Sequence, residues 1–152
     1  MRIISFLLLA LVLGTSMSCK KDSKRRIKKF HRKEVGSSAH DLLSDKDYKS
    51  ITIELIYMTG YRPTDAAVEN LEQLISSVCN KPSGVQVVFK EISAQAKSAY
   101  SIDDVKAIED QERKEYTYKE DLAVCFIFLD GPSSENQGSS MVLGQAYYNT
   151  SM

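Results

Sequence analysis

The sequence lacks tryptophan and has few of the residues that mark specialised folds. Its 152 residues include three cysteines, three prolines and seven glycines. So few glycines and prolines exclude collagen-like and proline-rich low-complexity chains. Apolar residues make up 43% of the chain, which is too many for a fully disordered protein. The length allows one globular domain.

The chain has no net charge, because 20 basic side chains balance 20 acidic ones. This balance conceals a division along the sequence. Residues 20–33 carry nine Lys or Arg and one Asp, whereas residues 48–152 carry nine basic and fifteen acidic side chains. An acidic domain gives no hint of a nucleic-acid partner, and we predict none.

Common catalytic motifs are also missing. The sequence contains no HExxH, no GxSxG, no GxxxxGK[ST] and no GxGxxG, so the usual single-motif indications of an enzyme are absent. The two histidines, His31 and His40, lie outside the predicted domain and are expected to be solvated rather than to bind a metal. We therefore assign no catalytic residue and no metal ligand.

The longest apolar run at the amino terminus is too short to cross a membrane. It covers residues 3–13, whereas a spanning helix needs about 20 residues. A basic residue precedes the run, and small residues separate it from Cys19, which is the layout of a secretory signal. An ordinary signal or an uncleaved anchor would leave a free thiol at Cys19.

The same segment resembles a bacterial lipoprotein signal. That resemblance implies a signal peptide at residues 1–18 and a mature chain that begins at an acylated, palmitate-bearing Cys19. The membrane is then a partner through the lipid anchor, and the expected location is the cell envelope, on the outer membrane of a bacterium. Residues 19–47 are predicted to be the lipidated cysteine and a basic flexible tether, too charged to fold alone.

From residue 48 onward, β-rich stretches alternate with helical patterns. Strands are predicted at residues 50–58, 85–92, 122–129 and 141–148, and helices at residues 64–78 and 101–115. The order predicts an α/β fold with a mixed four-stranded sheet. Three strands are expected to be parallel, the last is expected to be an antiparallel edge strand, and two main helices cover the sheet.

Two chemical alternatives stay open at this level. Asp103, Asp104, Asp130 and Glu135 are expected to be solvated, but they would support an unrelated enzyme if they converged in a cleft. Cys79 and Cys125 are expected to be buried free thiols, although export would permit a disulfide between them.

Three extended segments carry a further resemblance: residues 53–64, 122–131 and 142–152. They resemble bacterial lipoproteins described as membrane metalloproteases, whose fold is similar to that of the metzincin zinc peptidases. The resemblance implies that residues 48–152 correspond to the amino-terminal subdomain of such a peptidase. In the family, a later HExxH helix holds zinc. This chain lacks that motif, so it holds no cofactor and is expected to be inactive by itself.

The resemblance also implies a binding surface. In metzincins the backbone of the edge strand pairs with an extended peptide substrate, and the matching positions here are Gly144, Gln145 and Ala146. Two helices leave a four-stranded sheet partly uncovered, so we expect the domain to be incomplete at its carboxyl end. The alternative is a small surface or periplasmic lipoprotein that acts as a peptide- or protein-binding module.

Overall fold

The computed structural model describes residues 30–151. The predicted signal peptide and Cys19 lie outside these residues. A compact unit begins at His31 and follows the predicted order of strands and helices from residue 50 to residue 128.

Three strands form one open sheet. They are β1 (Ser50–Met58), β2 (Val85–Ile92) and β3 (Asp121–Phe128). The sheet order is β2-β1-β3, and both pairings are parallel. The α/β class and the three parallel strands are thus confirmed. The central strand β1 is buried along almost its whole length, as a strand covered on both faces must be.

The described helices include α1 (Ala39–Leu43), α2 (Asp65–Val78) and α3 (Ile102–Glu112). The two longer ones, α2 and α3, begin where the sequence provides side-chain caps. The Thr64 hydroxyl accepts a hydrogen bond from the Ala67 amide at the start of α2. At the start of α3, Ser101 and Asp104 form a reciprocal capping box. Both caps satisfy amides that the first helical turn leaves without partners.

Alternation along β1 divides the core between the two faces of the sheet. Ile51 and Ile53 line a groove of about 260 Å³ that is also lined by residues of α1 and α2. On the opposite face, Met58 packs with Tyr100 and with Ile108 of α3. Successive side chains of a strand point to opposite faces, so this division follows from the sequence of β1.

The predicted fourth strand is wrong for the described residues, because residues 141–148 do not pair as an antiparallel edge strand. The Val142 amide donates instead to the Asn136 side chain, and the Tyr147 amide donates to the Ser151 carbonyl. The outer edge of β3 is used by Ser151, which makes a parallel bridge with Cys125. Local partners therefore replace the expected ladder.

The domain also begins earlier than residue 48, because residues 31–47 pack against it. His31 is only 3% exposed, so the expectation that its side chain is solvated was wrong. The Lys81 ammonium donates to the carbonyls of Asp41, Ser44 and Tyr48. These three charge-assisted hydrogen bonds hold in place the segment that leads into β1.

Candidate functional site

The outer edge of β3 carries backbone groups that face away from the rest of the sheet. The Cys125 amide donates to the Thr150 carbonyl at 2.8 Å, so this side of β3 faces outward at Cys125. In a parallel strand every second residue points its amide and carbonyl to the same side, and Ile127 therefore also points outward. No hydrogen bond to Ile127 from outside the sheet is found within residues 30–151.

A cavity of about 290 Å³ lies beside this edge. Ile127 and Leu129 form one side of it, and Val142 to Gln145 contribute another. The remaining lining comes mostly from the start of α3 and from tyrosine side chains: Tyr61, Tyr100, Ser101, Ile102, Val105, Phe128, Ser133 and Tyr147. We call this cavity the β3 slot. Its volume is close to the lower limit of small-ligand pockets, and its lining combines apolar side chains with several polar groups.

The three predicted substrate-binding residues lie at this slot or next to it. Gly144 and Gln145 line the slot, and Ala146 follows them directly. All three are exposed, and their backbone groups make no hydrogen bond within the described part of the chain. The side chain of Gln145 reaches Glu135 at 3.5 Å. The residues are therefore accessible, although they do not belong to a strand.

Two of the candidate carboxylates lie near the slot, but both are engaged. Asp104 accepts from Lys97 at 2.6 Å and from the Ser101 amide at 3.0 Å. The lysine contact, then the Ser101 bonds, lower the pKa of Asp104 to about 2. Asp130 accepts from the Tyr100 hydroxyl and from the Ala96 amide, and these bonds lower its pKa.

These lowered pKa values do not fit the role of a general acid. A general acid near neutral pH needs a carboxyl pKa that is raised, not lowered. Burial first, and then the hydrogen bond to Asp130, raise the pKa of Tyr100 to about 12. Asp104 and Asp130 thus cap a helix and fix a tyrosine, and they do not support the reading of an unrelated enzyme.

A second polar cluster is buried at the outer edge of β3, toward its amino end. We call it the Arg113 cluster, and it consists of His31, Glu109, Arg113, Thr150 and Ser151. The guanidinium donates to Glu109 Oε1 at 2.6 Å and to the Ser151 hydroxyl at 3.0 Å. The Ser151 hydroxyl donates to Glu109 Oε1 at 2.7 Å. One arginine thus connects α3 with residues near both limits of the described chain.

Three hydrogen-bonding groups surround the His31 ring. The Thr117 amide lies 3.1 Å from Nε2, and the Arg113 guanidinium and the Thr150 hydroxyl lie 3.1 Å and 2.6 Å from Nδ1. The amide and the guanidinium can only donate, so both favour an uncharged ring. Burial first, and then the charge of Arg113, lower the pKa of His31 to about 3. The ring is therefore neutral in the folded protein at ordinary pH.

The Arg113 cluster has the residue types of a hydrolase site but not the access. Ser151 is 0% exposed, and Arg113 and Glu109 are also buried. The Ser151 hydroxyl donates to a carboxylate that is already paired with arginine, so no general base is available to activate it. The arrangement is one that holds chain segments together.

A buried glutamate on β1 completes the polar interior. Glu54 is almost fully buried, and its carboxylate accepts from the backbone amides of Lys114 and Glu115. Burial raises the pKa of Glu54, and the two amide bonds oppose that rise. This contact fixes the turn that follows α3.

The cysteines lie on opposite faces of the sheet. Cys79 lines the groove that Ile51 and Ile53 also line, whereas Cys125 is in register with Glu54 on the α3 face. Both thiols are free and buried, as the sequence predicted. Burial raises the pKa of Cys125 to about 12, which makes it a poor nucleophile.

One group of potential metal ligands is present on the surface. Single ligand atoms of His40, Asp41 and Asp47 lie within 4.8 Å of one another. His40 and Asp47 are exposed, and exposed acidic groups commonly cluster without an ion. We assign no metal to this group, and zinc remains a feature implied only for the full-length family.

The sequence reasoning missed the Arg113 cluster. His31 follows a run of basic residues, so its side chain was predicted to be exposed to solvent. The residues before Arg113 are mostly charged, so they indicated only a surface helix. Thr150 contacts His31 from 119 positions away, and no local pattern reveals such a contact.

Comparisons with protein-family models, with curated proteins and with solved structures found no match to this chain. Among residues 30–151, no helix has both the length and the apolar character needed to cross a membrane.

Proposed function

We propose that this chain is a lipid-anchored protein of the bacterial cell envelope whose domain binds an extended polypeptide in the β3 slot. One observation carries the proposal. The slot is lined on one side by Ile127 and on another by residues 142–145. Within residues 30–151, the backbone groups of Ile127 and of residues 143–145 have no hydrogen-bond partner outside the sheet. An extended peptide gains main-chain hydrogen bonds from such groups, and the apolar lining receives its side chains.

The resemblance to metzincin-like lipoproteins supports a role within a peptidase. On that reading, the chain supplies the substrate-holding amino-terminal subdomain, and Gly144, Gln145 and Ala146 lie beside the bound peptide. The zinc site and its general base are absent from this sequence, so the proposed activity of the chain itself is binding and not hydrolysis.

A matched pair of variants at Gln145 tests peptide binding. Gln145→Pro removes one backbone amide from the exposed segment, whereas Gln145→Ala keeps that amide and removes only the side chain. We expect Gln145→Pro to weaken the binding of fluorescent decapeptides with alternating valine and threonine, measured by anisotropy with the full chain in detergent. Gln145→Ala should bind like the parent. Equal binding by all three chains would contradict the proposal.

N-methylated peptides provide the complementary control. Methyl groups on alternate amides prevent the peptide from pairing as a strand but keep its side chains. We expect such peptides to lose binding to the unaltered chain. If they bind as well as the unmethylated peptides, the slot recognises side chains alone and the strand-addition mode is wrong.

A zinc-binding measurement tests whether this chain lacks a metal site, as the amino-terminal half of a peptidase would, or forms a metalloenzyme by itself. We expect no stoichiometric zinc in the purified chain after dialysis against micromolar zinc, because HExxH is absent. Tight zinc binding at one ion per chain would overturn this reading. The DNA beyond the codon for Met152 gives a second test, because an HExxH encoded there in any frame supports the peptidase reading.

An independent peptide- or protein-binding lipoprotein is the second candidate. The absence of the four catalytic motifs from the sequence favours it, and it uses the same slot. The two candidates differ in what lies downstream of Met152, since an independent binding module requires no zinc helix there.

A further inference from the structure

The outer edge of β2 has no strand beside it within residues 30–151. The sheet order is β2-β1-β3, so β2 ends the sheet on the side opposite to β3. The strand is 8 residues long and contains no glycine or proline, so no position in it would interrupt a ladder of hydrogen bonds. A long uncovered edge of this kind is a template for pairing with a further strand.

The hydrogen bonds between β1 and β2 define which backbone groups of β2 face outward. The Ile51 amide donates to the Gly84 carbonyl, and the Thr59 amide donates to the Ile92 carbonyl. Because alternate residues of a strand point their backbone groups to the same side, the even-numbered positions from 84 to 92 face β1. The odd-numbered positions therefore face outward: Val85, Val87, Phe89 and Glu91. Their amides and carbonyls have no hydrogen-bond partner in the described part of the chain.

The charged side chains of β2 do not guard this edge. Edge strands are commonly protected by charged side chains, above all by lysine. Here the Lys90 ammonium lies 2.7 Å from the Glu112 carboxylate of α3, and the Glu91 carboxylate accepts from the Thr59 hydroxyl at 2.8 Å. Both charges are thus bonded to their own chain, whereas the ring of Phe89 is 40% exposed. The edge offers backbone groups and an apolar ring to a partner.

A second copy of β2, running antiparallel to the first, fits this edge in one register. Residues that exchange both hydrogen bonds in an antiparallel pair must all be outward-facing ones. With Val88 opposite Val88 of the second copy, Val85 pairs with Glu91 and Val87 pairs with Phe89 across the twofold axis. Every outward amide and carbonyl of both strands then has a partner. A shift of two residues in either direction leaves one outward residue of each strand unpaired.

The same register also separates like charges. Lys90 lies opposite Gln86 of the second copy, and Glu91 lies opposite a valine. Val87 and Phe89 meet twice, once on each side of the twofold axis, and pairs of a β-branched and an aromatic residue stabilise antiparallel strands. Backbone pairing, charge and side-chain packing therefore agree on one arrangement.

We propose that two copies of this chain pair through their β2 edges, so that two three-stranded sheets form one continuous sheet of six strands. The contact is isologous, since each copy uses the same residues, and a twofold axis closes it without leaving a free β2 edge. The inference depends neither on the lipid anchor nor on peptide binding. The β3 slot lies at the opposite edge of the sheet, so a dimer of this kind carries two accessible slots.

A cysteine on the twofold axis tests the register. Val88 faces its own copy as a non-hydrogen-bonded pair, in which the Cα atoms are about 4.5 Å apart, a separation that a disulfide spans. Gln86→Cys is the matched control on the same strand, because the two copies of position 86 are offset by four residues, or about 14 Å. We expect the full chain with Val88→Cys, oxidised in detergent with copper phenanthroline, to form a disulfide-linked dimer, and Gln86→Cys to stay unlinked like the parent.

A proline on the outward side tests the backbone pairing. Val87→Pro removes an amide that faces away from β1, so the ladder with β1 keeps all its bonds, whereas Val87→Ala keeps that amide. Sedimentation of the full chain in detergent should give the mass of two chains for the parent and for Val87→Ala, and the mass of one chain for Val87→Pro. Circular dichroism checks that all three chains are folded. If Val87→Pro does not fold, the two cysteine variants decide.

Three outcomes would overturn the proposal. One is a parent chain that sediments as a monomer, and another is a folded Val87→Pro chain that dimerises like the parent. The third is disulfide linkage of Gln86→Cys at least as fast as that of Val88→Cys, which would mean random collision or a different register. If the parent is a monomer and Val87→Pro weakens its binding of the valine–threonine decapeptides, the edge of β2 takes an extended peptide and not a second copy. Loss of peptide binding in Gln145→Pro concerns the β3 slot alone, so the two proposals fail separately.

Discussion

At the scale of single residues, Arg113 is the side chain on which the buried polar interior depends. It pairs with Glu109 inside the protein, where both charges have left water. Arg113→Met leaves that carboxylate without its charge partner, and we expect the free energy of unfolding to fall by about 3 to 5 kcal/mol. Urea denaturation followed by circular dichroism measures the change.

Arg62 supplies the control for this prediction. Its pairing with Asp65 is exposed to solvent, and exposed ion pairs contribute about 0 to 1 kcal/mol. Arg62→Met should therefore change stability little. If Arg62→Met and Arg113→Met cost the same, the Arg113 cluster does not stabilise the fold as described.

The buried imidazole of His31 makes a second residue-scale prediction, on pH. Its pKa falls from 6.5 to about 3 on folding, so the unfolded chain binds the proton more readily. The stabilisation from the neutral ring is complete above pH 6.5 and is lost as the pH falls toward 3, with each unit of pKa difference equivalent to about 1.4 kcal/mol.

Denaturation curves recorded between pH 4 and pH 8 test this prediction. His31→Asn keeps a polar side chain near the Thr150 hydroxyl but removes the titrating group, and it should flatten the acid side of the stability profile. His40→Gln should leave the profile unchanged, because the His40 side chain is exposed. A His31→Asn profile as steep as the parent's would contradict the assignment.

At the scale of secondary-structure elements, α3 depends on its first turn. The Ser101 hydroxyl accepts from the Asp104 amide, and the Asp104 carboxylate accepts from the Ser101 amide. Ser101→Ala removes half of this box and should cost about 1 kcal/mol. Thermal unfolding measures the loss, and Ser76→Ala, at an exposed position within α2, should be close to neutral. Equal effects would mean that the cap contributes nothing.

The elements also show what the sequence could and could not predict. The three strands of the sheet were predictable because each carries an apolar or alternating stretch bounded by turn residues, and α3 was predictable from its capping box. Residues 141–148 carry a similar apolar signal, but a strand needs a partner edge. That edge is engaged at Cys125 by the Thr150 carbonyl, a non-local contact that no local pattern contains.

Only part of the candidate site could be predicted from the sequence. The exposed positions Gly144 and Gln145 came from a resemblance of extended segments, and they line the slot. The burial of His31 was not predicted because its neighbours in sequence are charged. Its partners, Thr117 and Thr150, lie 86 and 119 positions away, and only the folded chain brings them together.

At the scale of the whole molecule, the lipid anchor is the feature to test first. Cys19→Ser should abolish the incorporation of labelled palmitate in bacterial cells, because only the thiol at that position is acylated in the proposed scheme. Cys79→Ser should keep the label, because that thiol is buried in the domain. The intact mass of the mature chain checks the result. An unlabelled parent chain with a free thiol at Cys19 would contradict the anchor.

The Arg113 cluster includes His31, the residue at which a force applied through the preceding chain would act on the domain. A pull on the proposed lipid anchor would reach the described domain at residue 31, where His31 is bonded to Thr150, whose carbonyl is in turn bonded to β3. Force therefore passes first into Arg32–Asp110 and the His31–Thr150 contact, and reaches the central strand only afterwards. Tension on the proposed anchor should thus separate residues 31–43 and 150–151 from β3 while the parallel sheet stays intact.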